Sequence, residues 1–160
     1  MKPLPGSALA TLLLLCSPAL AAGQMSGHNM KMPMADKPAH FKPALSAYTA
    51  KHAFLVKLTG LPHPIPYQKY FALRFAVFDG HHPDKRLAGA KLKLFAGMRH
   101  GMKHGFAHGM QSAPKISDQG GAITVDGMYF HMMGRWTLKA TVSAGGKQDV
   151  AYFDLPCCGK

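Results

Sequence analysis

Methionine and histidine are the side chains whose number and spacing in this sequence could do chemistry. Eleven methionines and ten histidines occur among 160 residues. Apart from Met1, every methionine falls in one of three short windows, Met25 to Met34, Met98 to Met110 and Met128 to Met133. A thioether is a soft, uncharged donor that suits Cu(I), and neutral imidazole suits Cu(I), Cu(II) and Zn²⁺. Thioethers neither need deprotonation nor become disulfides, so they stay useful in an oxidising compartment. A mixed set of the two favours copper over zinc, whose sites rarely use methionine. Methionines recruited only for packing would be scattered among the strands, where this chain uses Leu, Val and Phe.

The middle window is an internal repeat of four residues. It reads Gly97-Met98-Arg99-His100, Gly101-Met102-Lys103-His104, Gly105-Phe106-Ala107-His108, then Gly109-Met110. Glycine at every fourth position disfavours a helix, so Met98, His100, Met102, His104, His108 and Met110 are expected to converge through a loop. His131 and Met133 precede the segment around Trp136, and strand alternation would put them on one face with Met132 on the other. They complete the expected ligand set if both segments lie at one end of the fold. The plainer reading is an exposed low-complexity loop, and for His40, His52, His63, His81 and His82 that reading is preferred. Met25, His28, Met30, Met32 and Met34 stand between the two readings.

The elements that must position these donors can be read from the rest of the chain. Lys2, the apolar run Ala8 to Leu15 and the small residues Ala19-Leu20-Ala21 read as a secretory signal over residues 1–21. Leu15 before Cys16 disfavours lipoprotein processing, and no later apolar run is long enough to span a bilayer. Residues 22–44 lack apolar periodicity and read as a Met/His-rich arm. Residues 45–156 read as a β-sandwich domain, in which runs of period two begin from Tyr48. Phe54, Val56 and Leu58 form one alternating set; Phe71, Leu73, Phe75 and Val77 a second; Leu92 and Leu94 a third; Ile123 and Val125 a fourth. Tyr129 begins a fifth, Trp136, Leu138, Ala140 and Val142 make a sixth, and Val150 to Leu155 a seventh after the Gly145-Gly146 turn. About seven short strands without a helical stripe predict an antiparallel, immunoglobulin-like β-sandwich with Trp136 in its core. Residues 157–160 are expected to be a tail.

Charge narrows the function. The seven acids are all aspartate, against nineteen Lys and Arg, for a formal net charge of +12. So few carboxylates argue against Ca²⁺ and Mg²⁺ sites. For an exported chain, a basic balance predicts an anionic membrane surface or an acidic protein as partner, and not nucleic acid. Cys157 and Cys158 are adjacent and make no disulfide framework.

The stretch from Phe71 to Leu155 carries Asp79-Gly80, Ala90, His108-Gly109-Met110, Tyr129-Phe130-His131-Met132-Met133-Gly134-Arg135-Trp136 and Asp154-Leu155. In these motifs it resembles YtkA-like domains, relatives of FixH-like proteins, over about half of the chain. The resemblance implies an immunoglobulin-type sandwich associated with copper delivery or oxidase assembly, with His108, Met110, His131 and Met133 on or beside the family pattern. The sequence departs from that pattern in having Met132-Met133 where the family has Met-Pro, and a longer repeat where the family has one compact Met/His motif.

The sequence therefore predicts a periplasmic copper-binding protein, not an enzyme, that buffers the ion or hands it to a receiving protein. His104, His108, Met110, His131 and Met133 would form the central site, and the amino-terminal arm would capture or transfer. A blue-copper site is disfavoured because it needs a Cys thiolate beside two histidines, and here no histidine follows the terminal cysteines. Hydrolytic chemistry lacks a Ser/His/Asp motif or paired glutamates, and Asp79 with Asp84 reads as turn chemistry. The alternative of another class is a non-metal interaction module whose methionines form an adaptable surface.

Overall fold

In the computed structural model, residues 41–99 and 106–158 are described. They fold entirely as β-structure. The strands are β1 (Ser46–Tyr48), β2 (Phe54–Gly60), β3 (Tyr70–Asp79), β4 (Lys91–Met98), β5 (His108–Gly109), β6 (Lys115–Gln119), β7 (Ala122–Tyr129), β8 (Gly134–Ala144) and β9 (Lys147–Cys157). One sheet has the order β1-β2-β3-β7-β6 and the other β5-β4-β8-β9, and every pairing is antiparallel. Without the short edge strands β1 and β5, the orders β2-β3-β7-β6 and β4-β8-β9 are those of an immunoglobulin constant-type sandwich.

Period-two burial builds the core between the sheets. Phe71, Leu73, Phe75 and Val77 of β3 are buried while Ala72 and Arg74 are exposed. They meet Trp136, Leu138, Ala140 and Val142 of β8 and Ala151, Phe153 and Leu155 of β9. Phe75 and Phe153 touch edge to face across the gap, with centroids 6.0 Å apart. Gly145 and Gly146 join β8 to β9 with φ of 55° and 73°, the left-handed pair required by a two-residue hairpin.

Among the described residues nine strands form where about seven are expected. Three of the nine, β1, β5 and β6, are edge strands of two to five residues with mostly exposed side chains, so they carry little apolar alternation to read. Conversely, Tyr129 does not begin a strand but ends β7. The expected tail also starts too early: Cys157 is the last residue of β9, fully buried and paired with Gly134. No helix among the described residues is long and apolar enough to cross a membrane.

A β-bulge on β7 decides what reaches one end of the sandwich. Leu73 pairs with Val125 and Phe71 with Met128, so one residue of β3 faces two of β7, Asp126 and Gly127. Gly127 has φ +83°, as a glycine bulge demands. The extra residue shifts the alternation: Ile123 and Val125 point inward before it, Met128 and Phe130 after it.

Candidate metal centre

The end of the sandwich where β4, β7 and β9 finish and β5 and β8 begin gathers the described Met/His segments. Met98 ends β4, opposite Trp136 of β8 on one side and His108 of β5 on the other. Directly paired residues share a face, so His108, Met98 and Trp136 form a row on the inner face of this sheet. The Met110 N–H donates to the Ala96 carbonyl at 3.2 Å, which carries the same alternation on to Met110, half-buried against the core.

His131, Met132 and Met133 lie in the connection from β7 to β8, outside any strand. Alternation therefore does not set their faces. Trp136 does so instead. Phe130 stacks on its indole at 4.3 Å with the planes 7° apart, and the His131 ring meets it edge-on at 5.5 Å. The indole Nε1–H donates to the Met132 carbonyl at 2.9 Å. Phe71 braces Phe130 from β3 at 5.1 Å, edge to face. Three consecutive residues are thereby fixed by one buried tryptophan.

His131 is half-buried, and its Nδ1 is sealed from water with no hydrogen-bond partner among the described residues; Ser112 Oγ is the other such atom. Burial pushes the His131 imidazole below the ordinary histidine range, and the neighbouring His108 pushes it further the same way. A depressed histidine is neutral at neutral pH, the form that binds a metal. His108, through Met98, and His131, through its ring contact, both adjoin the row that ends at Trp136.

Of the expected ligands, His108, Met110, His131 and Met133 come to this end, with the histidine exposed on β5 and the other three half-buried. Met98 comes to it too, but as a core residue at 2% exposure rather than on a loop. Its place at an inward-facing strand position makes it packing. Met128, fully buried opposite Phe71, is likewise core, so clustering is not reserved for metal donors in those two cases. His100, Met102 and His104, and the arm with Met25, His28, Met30, Met32 and Met34, lie outside the described residues. Among the described residues no group of three or more His, Cys, Asp or Glu is placed to hold a metal.

Two side chains at this end are additional to the expected set. Cys157 is buried in the core cluster, and Cys158 is half-buried with its Sγ 3.7 Å from the Pro66 carbonyl oxygen. The two sulfurs form a disulfide. At the other end His81 and His82 are exposed, and their backbone N–H groups cap the Asp79 carboxylate at 2.8 and 3.2 Å. That is an Asx-type turn.

No protein family, curated protein or solved structure matches the chain.

Proposed function

We propose that this is an exported copper-binding protein that buffers or delivers the ion, with His108, His131, Met110 and Met133 as ligands at one rim of the sandwich. His100, Met102 and His104 of the repeat would be further donors, and the arm would serve capture. The observation that carries the reading is His131: an imidazole whose buried Nδ1 has no partner among the described residues, at the same end of the sandwich as a second imidazole and followed in sequence by two thioethers. A buried polar atom without a partner is costly, and a metal would satisfy it. Two imidazoles with thioethers form a donor set that fits copper in either oxidation state, with Cu(I) favoured by the sulfur. An oxidase-assembly or other copper-receiving protein would be the partner. Competition for Cu(I) against a chelator tests the proposal. His131→Ala together with His108→Ala should weaken binding by at least about a hundredfold if each ligand contributes the usual one to two decades. Unchanged affinity would end the reading.

A second reading has its own observation. The outer face of the β4-β8-β9 sheet carries Lys91, Lys93, Arg99, Arg135 and Lys139 beside exposed Phe95 and Tyr152. Asp154 is the acid there, held by Thr137 Oγ1 at 2.6 Å and Arg135 at 3.8 Å. Such a face suits an acidic protein or an anionic membrane surface. Salt-sensitive binding to anionic vesicles by the metal-free protein would favour this function instead.

A further inference from the structure

We propose that the outer face of the β4-β8-β9 sheet docks the protein on an anionic phospholipid bilayer. This deepens the second reading above, on which it rests, and does not depend on the copper site. Strand register lays the face out in rows. Phe95, Lys139 and Tyr152 are direct cross-strand neighbours, and the next row toward Lys91 begins with Lys93. Phe95 and Tyr152 keep 44% and 47% of their surface exposed. Phe106 meets the Phe95 ring edge to face at 4.9 Å, and the Arg99 guanidinium lies over both Phe106 and Tyr152, at 5.1 and 5.4 Å. Arg135 lies over Phe41 at 4.9 Å, and Lys42 lines the same cleft. Aromatic rings thus occupy the middle of the face, with cations on either side and Lys139 between them.

The charge of this face is not balanced from within. Asp154 is the acid among its described residues, and Thr137 and Arg135 already hold it. Lys91, Lys93, Arg99 and Lys139 then stand without a carboxylate partner among the described residues. Such a one-sign field attracts an anionic partner. Two features favour a bilayer over an acidic protein. Three of the four cations are lysines, which protein interfaces deplete and which membrane contacts use against anionic lipid. They also extend along β4 from Lys91 to Arg99, about 26 Å at the rise of a strand. No compact acidic patch meets them all together, whereas a plane of headgroups does. Exposed rings complete the arrangement, because aromatic side chains amid cations settle at the level of the headgroups while the cations reach the phosphates.

The test uses the full-length chain and vesicles of phosphatidylcholine, alone or mixed equally with phosphatidylglycerol, with co-sedimentation measured at low and high salt. The apolar run Ala8 to Leu15 would bind both lipids alike, so the difference between them is what counts. Anionic vesicles should bind more tightly, and salt should weaken that advantage. Lys93→Gln with Lys139→Gln should weaken anionic binding about thirtyfold, from the usual contribution of each cation near such a surface. Lys57→Gln with Arg74→Gln removes the same charge from the outer face of the other sheet and should change binding less than about threefold. Phe95→Ser with Tyr152→Ser should also loosen binding while leaving its salt dependence as it was. Circular dichroism checks that each variant keeps the fold. Equal losses from the two charge pairs would overturn the proposal, since net charge and not this face would then be acting. Failure to bind anionic vesicles, with polyglutamate captured instead through Lys93 and Lys139, would overturn membrane docking and leave the basic face standing as a protein site. Binding to neither probe would overturn the second reading itself.

Discussion

Trp136 shows how much one residue can organise. It is fully buried, is stacked by Phe130, and holds the Met132 carbonyl through its indole N–H. Trp136→Phe would keep much of the packing and lose that hydrogen bond, a cost of about 1 kcal/mol plus the smaller ring's lost contacts. Its distinctive effect should be on copper, because His131 and the Met132 carbonyl lose their anchor: Cu(I) affinity should fall even where the protein stays folded, as competition titration and near-ultraviolet circular dichroism would show together. Asp149 is the other informative residue. Burial works against its charge, but hydrogen bonds from Thr49, Val150, Lys51 and Ala53 outweigh it and hold its carboxyl below the ordinary range. The Lys51 N–H is 2.8 Å away, so this carboxylate ties the β1–β2 connection to β9. A depressed carboxylate contributes its stability in full above the unfolded value near 4 and loses it as pH falls through the folded one. Asp149→Asn should therefore cost about 2 kcal/mol at neutral pH by urea unfolding, and the gap to the unsubstituted protein should shrink below about pH 4.

At the scale of elements, the β7 bulge and the β4–β5 hairpin do the positioning. Gly127→Ala would force a side chain into φ +83° and cost about 1–2 kcal/mol. Deleting Asp126 together with Gly127 is the sharper experiment, since Met128 would then follow Val125 directly, and Met128 and Phe130 would flip outward and release His131 from Trp136. Loss of cooperative unfolding, or of copper binding in a folded product, is the expected outcome. On the hairpin, a Cβ at Gly97 would lie 2.5 Å from the His108 carbonyl oxygen and 2.9 Å from the Phe106 ring. Gly97→Ala should separate β5 from β4, raise amide exchange at His108 and Met110, and weaken copper binding more than it lowers overall stability. The longer strands were legible because their apolar residues alternate without interruption, as in Phe71 to Val77 and Trp136 to Val142. β5 and β6 were not, because an exposed edge strand has no buried face to mark it. The bulge hides in sequence as one more glycine.

For the described residues as a whole, stability lies in the facing of two sheets across Phe75, Phe153, Trp136 and Leu73. Phe153→Ala should cost about 3–5 kcal/mol, because the gap it leaves is lined from both sides and cannot close; thermal unfolding measures this directly. The amino-acid order by itself determined the all-β class, the two-sheet alternation, the Gly145-Gly146 hairpin and the buried tryptophan, since each follows from period-two burial or from a turn that only glycine adopts. Donor types were equally legible, because thioether and imidazole chemistry belongs to the side chain. Only the tertiary structure decided that Met98 and Met128 are core, that His131 is held by Trp136 near His108, and that Cys157 closes a strand at the same rim. Those outcomes depend on register, a bulge and the crossing of the chain between sheets. They are contacts between residues far apart in sequence, which local pattern does not encode.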